Sequence, residues 1–369
     1  MVLLLEGSKR DFVSRSRRRS HPSMWGELNN SPQSLSHIVL TMEAAMHDGV
    51  FNSLLERLRG QLDGFSGAQL ATLRSLLESA SSLATCLELI EKFGRPCDRC
   101  PHCAATRIHR HGSTGGLQRY RCVTCHRTFN ALTGTPFAFL RLRGKWLLFL
   151  QAVLDSRTVR GAADTTGIHR NTSFRWRHRF MGAARHDRPP RLQGIVEADE
   201  TYLLESQKGN RHLDRPARRR GGKARRRGIS KELDCILVAR DRDGKTRDFV
   251  CGRGPVTARQ LAHHLTPILA ADVLLVSDSA AAYTTFARRA GILHEAVNLR
   301  AGVRTRGAIH LQHVNGYHSR FHGWLSRFNG VASKYLPNYL GWRHGLDGQR
   351  WLAPGDCLIA ALRGNDSLS

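Results

Sequence analysis

The stretch GIVEADETYLL, Gly194–Leu204, sets three acids, Glu197, Asp199 and Glu200, into a run of strand-forming residues. On a strand, residues two apart share a face. Glu197, Asp199 and Thr201 therefore point one way, and Ala198, Glu200 and Tyr202 the other. A carboxylate partway along a buried strand costs several kcal/mol unless its charge is compensated. Two readings meet that requirement: an edge strand whose acids are solvated, or a face that holds a divalent cation.

The strands that follow determine what that face meets. LDCILVA, Leu233–Ala239, is an apolar strand; DRDGK, Asp241–Lys245, is a tight turn; Thr246–Cys251 returns as a third strand. Thr257 caps a helix to about Leu269, and DVLLVSD, Asp272–Asp278, is again an apolar strand ending in an acid. Ala280–Ala290 reads as helix, Glu295–Leu299 as a short strand, and a long helical region starts near Gln312. Three antiparallel strands followed by alternating helix and strand is the order of a ribonuclease-H-like fold. That order sets the first and fourth strands side by side at the sheet centre, so Asp199 and Asp278 share one site. Paired carboxylates on rigid strands bind two Mg²⁺ ions suited to phosphodiester chemistry. Glu197 has no matching partner and reads as structural, while Glu200 faces away, toward a basic neighbour.

A third ligand is expected from the helix Val314–Phe328, which contains no Asp or Glu. Asn315 and His318, one turn apart on one face, are its polar candidates. An amide carbonyl suits a hard cation, and neutral imidazole prefers softer ones. His318 is then free to orient a phosphate or a metal-bound water. Helix capping is the plainer alternative for both.

Composition narrows the partners. Over 369 residues, 57 Lys and Arg stand against 30 Asp and Glu, a formal net charge of +27. Such an excess favours polyanions, nucleic acid first. No apolar run approaches the roughly 18–20 residues of a membrane span, and Met1–Leu5 is too short for a signal peptide. The expected location is the cytosol or nucleoid.

Upstream, residues 1–41 mix Ser, Arg, Pro and Asn around a basic cluster, Arg17–Arg19, and read as a disordered arm, with Met42 and Met46 as alternative starts. Residues 42–94 are a helical module. Phe51, Leu54, Leu55 and Leu58 mark one apolar face, and Leu70, Leu73, Leu77, Ala80 and Ala84 another. Packing or self-association is its expected role.

Residues 95–135 hold Cys100-x2-Cys103 and Cys122-x2-Cys125, separated by 18 residues. That spacing is expected of a four-cysteine structural zinc ribbon, each CxxC presenting two thiolates to one ion. Gly115–Gly116 marks a hairpin turn between the knuckles. Cys97 forms a second CxxC with Cys100, but that register lengthens the gap beyond the usual range. Unligated or redox-active thiols are the alternatives, and a redox pair leaves the duplicate unexplained.

Residues 136–185 read as helices with a helix-turn-helix layout. Val159–Thr165 is the first helix, Gly167 the turn, and His169–Phe180 the second. Arg170, Asn171, Arg175, Arg177 and Arg179 on the second helix are donors for phosphates and base edges. An ordinary helical hairpin is the alternative. A boundary follows near Pro189–Pro190, and residues 190–350 form the sheet domain. Its insertion, 205–231, carries 11 Lys or Arg against two acids. This reads as a flexible, phosphate-clamping loop in which Arg218, Arg219, Arg220, Lys223, Arg225, Arg226 and Arg227 are the candidates. Residues 351–369 read as a short tail. The fold class is thus α+β multidomain: N-terminal helices, zinc ribbon, helix-turn-helix-like segment, ribonuclease-H-like mixed sheet.

Several stretches carry a more specific likeness. They are CPHC (Cys100–Cys103), LQRYRCVTCHRTFNALTGTPF (Leu117–Phe137), FRWRHRFM (Phe174–Met181), VEADETYLLESQKG (Val196–Gly209), RRRGGKARRRG (Arg218–Gly228), SDSAAAY (Ser277–Tyr283) and the run His313–Trp342. The chain resembles bacterial DDE-type insertion-sequence transposases of the group with an N-terminal zinc ribbon. The resemblance implies cut-and-paste movement of a DNA element between its terminal inverted repeats, in the presence of Mg²⁺ or Mn²⁺. Double-stranded DNA is the implied partner, bound by at least a dimer. Asp199 and Asp278 match the first two catalytic acids. The third position departs from the acid of the wider superfamily, and Asn315 fits the Asn variant present in this group. Other classes are a DNA-binding regulator or decayed transposase that needs neither aspartate, and a related nuclease that cleaves without joining.

Overall fold

The computed structural model describes residues 48–219, 221–297 and 305–364. The arm at 1–41, the alternative starts, Arg220 and the end of the strand expected at Glu295–Leu299 lie outside those residues.

Two units divide the chain, the first ending at Leu70 and the second running from Ala71. The described part of the first contains helix α1 (Asp48–Arg59) and the start of α2 (Gly67–Phe93). The apolar stripes form on these helices but are not covered by the described residues. Nothing on α1 is buried, and Phe51, Leu54, Leu76 and Leu77 are exposed. Only toward its C-terminus, at Cys86 and Ile90, does α2 enter a core.

In the second unit, β1 (Ile108–Thr114), β2 (Leu117–Cys122) and β3 (Thr128–Phe129) form a small antiparallel sheet. Its first hairpin turns on Gly115 and Gly116, both at positive φ, the two-residue turn that favours Gly-Gly. Helices α3 (Trp146–Leu154), α4 (Val159–Thr166) and α5 (Arg170–Ala184) follow. Thr158 caps α4 and accepts from the amide of Gly161; Gly167, at φ 59°, ends it; His169 caps α5. A three-residue turn thus joins α4 to α5.

The large sheet contains β4 (Ile195–Leu204), β5 (Leu233–Asp241), β6 (Thr246–Arg253), β7 (Leu274–Asp278) and β8 (Leu293–Val297), in the order β6-β5-β4-β7-β8. β4 is central: antiparallel to β5 from Val196 to Leu204 and parallel to β7. Helices α6 (Ala258–Leu265) and α7 (Ala281–Ala290) share a core with the Val196 and Ala198 face of β4. A short hairpin, β9 (Thr305–Arg306) and β10 (Ile309–His310), leads into α8 (Gln312–Ser326), which packs on the other face. Helices α9 (Leu336–Leu346) and α10 (Pro354–Arg363) are the last elements among the described residues.

The residues read as a C-terminal tail are part of this core. Cys357, Leu358, Ala360, Ala361 and Leu362 of α10 are buried in the same apolar cluster as Trp146, Trp176, Phe180 and Trp342. The helix-turn-helix-like segment therefore shares its core with the C-terminal helices. No described helix is long and apolar enough to cross a membrane.

Candidate active site and cysteine cluster

Strand β4 and helix α8 meet in a repeating match. Strand residues two apart rise roughly 6.7 Å and helix residues four apart roughly 6 Å. Glu197, Asp199 and Thr201 consequently face Val314, His318 and His322 in turn. The Val314 amide donates to Glu197 Oε2 at 3.0 Å, His318 Nδ1 stands 4.0 Å from Asp199 Oδ2, and Thr201 Oγ1 meets His322 Nε2 at 2.5 Å.

Asp199 and Asp278 lie level on neighbouring strands. Glu197 pairs with Val276 in the parallel ladder, and two residues further along each strand come Asp199 and Asp278. Each has one oxygen held by the main chain: Asp199 Oδ1 accepts from the Glu200 amide at 2.9 Å, Asp278 Oδ1 from the Ala280 amide at 3.0 Å. Among the described residues, neither Oδ2 accepts a hydrogen bond. Burial, and then the charge of Glu200, pushes the Asp199 carboxyl up to about 7. Burial pushes His318 down to about 4, so its imidazole is neutral at pH 7, and its Nε2 is buried without a partner. Asn315 lies one turn before His318, exposed, with no side-chain hydrogen bond among the described residues.

An acid whose pKa is raised by folding weakens the folded state once it ionises, and has no such effect below the ordinary carboxylate range. Without Mg²⁺ or Mn²⁺, Asp199→Asn is therefore expected to melt several degrees above the unsubstituted protein near about pH 8, the gap closing toward about pH 4. Equal melting at both pH values in differential scanning calorimetry would show that the Asp199 carboxylate carries no such strain.

Glu197 is fully buried and has the partners that sequence reading did not find. Besides the Val314 amide, its carboxylate accepts from Arg242 Nη1 and lies 3.1 Å from His310 Nδ1. It pins the first turn of α8, one residue before Asn315. Glu197, His310 and His313 bring their ligand atoms within 4.8 Å of one another, but the Arg242 guanidinium already neutralises the carboxylate, and a second cation there is disfavoured. Breaking a buried pair leaves its partner's charge uncompensated, which costs about 3–5 kcal/mol. Glu197→Gln is expected to lose stability on that scale in urea unfolding, and Glu197→Gln with Arg242→Gln to recover most of it. A harmless single substitution would sink the pinning role.

Glu200 faces the opposite side of β4, and its neighbour there is a phenol and not a base. The buried Tyr283 hydroxyl donates to Oε1, and Tyr202 donates to Oε2 at 3.4 Å. Burial raises its pKa, while the Tyr283 bond opposes the rise.

The cysteine knuckles mirror each other. Cys100 and Cys125 sulfurs are 3.6 Å apart, as are those of Cys103 and Cys122, and all four lie within 4.8 Å of one another. Tetrahedral Zn–S bonds of about 2.3 Å imply sulfur separations of about 3.8 Å, so this donor set fits zinc. The residue after each CxxC, Ala104 and His126, takes φ 59°, letting its amide donate back to the carbonyls of Cys100 and Cys122. The Cys125 amide points at the Cys122 sulfur, and such bonds hold that thiol down to about 6. Cys97 stands outside the cluster, donating to the Arg95 carbonyl at 3.6 Å.

The acidic pair, its helix and the cysteine cluster stand within a chain whose relatives are mobile elements. Residues 191–342 match the model of the ISXO2-like transposase domain. An uncharacterized protein in transposable element ISH50 of Halobacterium salinarum is 31% identical over 250 residues, 65% of this chain and 82% of that protein. The chain belongs to the DDE-type insertion-sequence transposases. Insertion element iso-IS1N protein InsA of Shigella dysenteriae is 38% identical over 77 residues, 21% of this transposase and 82% of that protein. A pre-cleavage Mos1 transpososome structure covers 58% of this chain and 78% of its own, at 15% identity and a TM-score of 0.19, too low to add to the assignment.

The basic candidates of the transposase separate into two groups. Arg170, Asn171, Arg175 and Arg179 are exposed on α5, as are Arg219, Lys223, Arg225, Arg226 and Arg227 in the insertion. Arg177 and Arg218 face inward. Arg177 is 1% exposed, stacked 4.8 Å from the Trp342 ring, and donates to the Arg157 carbonyl at 2.6 Å. Arg218 bonds Glu205 and Glu232, and Arg215 and Arg253 also converge on the buried Glu205. Because Glu232 also accepts from the amides of Arg225 and Arg226 at 2.7 and 3.1 Å, the insertion is tied down at its base, not loose throughout.

Proposed function

We propose that this transposase binds the inverted-repeat ends of its element and catalyses metal-dependent cleavage and strand transfer with Asp199 and Asp278. The observation that carries the reading is the pairing of β4 with β7. It sets two carboxylates level at the sheet centre, each held by a main-chain amide and each with an oxygen uncommitted. The strand order three–two–one–four–five is that of a ribonuclease-H-like domain, in agreement with it.

The donor set suits Mg²⁺ or Mn²⁺: carboxylate oxygens on rigid strands, with the Asn315 amide as the third hard ligand. Bound there, the ions supply activation of the attacking hydroxyl and neutralisation of the leaving oxygen. A cation held there would favour the ionised Asp199 carboxylate over the protonated form that burial favours. His318, neutral and next to Asp199, orients a phosphate oxygen or a water. Glu197 holds α8 so that Asn315 and His318 keep their places. Cys100, Cys103, Cys122 and Cys125 hold a structural zinc that folds the ribbon and leaves no open coordination position. The exposed cations of α5 and of the insertion contact the DNA backbone, and bringing two ends together requires at least a dimer on DNA.

A labelled duplex carrying the element's end, incubated with a plasmid target and Mg²⁺, tests this. Joined product that depends on added Mg²⁺ is the expected result. Salt-sensitive binding without cleavage would replace the proposal with a non-catalytic DNA-binding protein, and cleavage without joining with a nuclease.

A further inference from the structure

A cavity of about 680 Å³ opens between the α4–α5 pair and the loop after α8, apart from the carboxylate pair. The first turns of both helices border it, at Thr158–Arg160 and at Arg170–Asn171. Helix N-termini present unpaired amides and a partial positive charge. Four cations line it, Arg160, Arg170, Arg177 and Lys208, and among the described residues no Asp or Glu does.

Arg177 is the decisive group. Its guanidinium is buried, yet no carboxylate lies within ion-pair reach among the described residues. Nη2 donates to the Arg157 carbonyl, the ring of Trp342 lies beneath, and the Tyr339 phenol lies beside it. Among the described residues Nε and Nη1 have no hydrogen-bond partner. A buried, half-bonded cation is costly unless an anion compensates it, and this one lines an open cavity. Phe174, one turn from both Arg170 and Arg177 on α5, also lines it, 39% exposed and edge-on to Tyr335, 5.6 Å away. Lys208 donates to the carbonyls of Asn329 and Gly330 at 3.2 and 2.8 Å, fixing the loop that closes this side.

Cations beside an exposed aromatic ring match a phosphate joined to a planar base. We propose that the cavity holds one nucleotide unit of a DNA strand, its phosphate at Arg177, Arg160 and Arg170 and its base against Phe174. The inference rests on the transposase reading only for the source of the nucleotide.

Titration calorimetry of the full, zinc-loaded chain without Mg²⁺ or Mn²⁺, with dTMP, thymidine and inorganic phosphate, tests it. dTMP is expected to bind at least about tenfold more tightly than thymidine, since a phosphate bonded by charged donors supplies more than about 1.4 kcal/mol. Arg160→Glu with Arg170→Glu, both exposed, should weaken dTMP at least about tenfold by the same arithmetic. These substitutions avoid the unfolding that Arg177→Ala risks. Phe174→Ala should weaken dTMP but not phosphate. A duplex with one unpaired thymidine should displace dTMP more strongly than its fully paired counterpart. Equal binding of dTMP and thymidine, indifference to the charge reversals, or no advantage for the unpaired thymidine would overturn the proposal. Binding of dTMP that vanishes in Asp199→Ala would also overturn it, by placing the nucleotide at the carboxylate pair. Absence of strand joining alongside intact dTMP binding would instead sink the transposition reading and leave the cavity assigned.

Discussion

Asp199→Ala and Asp278→Ala are each expected to lose strand cleavage and joining by roughly a thousandfold or more, while binding the element's ends nearly as well as the unsubstituted protein. The size follows from what a carboxylate contributes to a two-metal site. Losing about 4 kcal/mol of transition-state stabilisation lowers a rate roughly a thousandfold. Retained binding follows from location. Both aspartates sit at the sheet centre, whereas the exposed donors Arg170, Asn171, Arg175 and Arg179 lie on α5. Removing either negative charge from so basic a chain strengthens attraction to DNA slightly. Because Asp199 is pushed up to about 7 in the metal-free site, activity of the unsubstituted protein at limiting metal should climb as pH rises through that region. Gel-shift and cleavage assays on the same preparations separate the two effects. A variant that cleaves at a tenth of the normal rate would show that the metals are held elsewhere.

Cys103→Ser with Cys122→Ser is expected to have the second large effect, on folding. The ribbon's own cluster is Cys100, Cys122 and Phe129, while Leu117 of β2 packs into the larger core; that is too little to hold three short strands. Structural zinc contributes about 10–16 kcal/mol in ribbons and fingers of this size, so without it the β1–β3 sheet should unfold while the large sheet persists. The readouts are one zinc per chain by elemental analysis, and selective loss of amide protection over residues 100–129. Undiminished protection there, or a chain purified without zinc and fully folded, would contradict the metal reading.

The parts that could be read without coordinates are those governed by local spacing. The alternation in GIVEADETYLL put Glu197, Asp199 and Thr201 on one face, and the structure sets that face against α8. The turn at Asp241–Lys245, the cap at Thr257 and the glycine pair between knuckles are likewise short-range, and each appears where its residues indicate. What escaped depends on distant partners. Arg177 looks like a neighbour of Arg175 and Arg179 on a basic helix, but Trp342 lies 4.8 Å from it and makes it interior. Arg218 sits in a run of arginines, yet Glu205 and Glu232 at the two ends of the insertion take its charge. The α10 segment is too short to declare itself amphipathic in isolation, and its burial is decided by α3 and α5. The Arg242 and His310 partners of Glu197 come from a turn and a hairpin far along the chain. One signal was available: Val314, His318 and His322 recur every four residues, the helical counterpart of Glu197, Asp199 and Thr201.

Anomalous diffraction from crystals soaked in Mn²⁺ tests the central claim most directly. The account predicts manganese peaks at the carboxylates of Asp199 and Asp278, with the Asn315 amide at the edge of the site. Manganese at Glu197, His310 and His313 and none at the aspartate pair would contradict it.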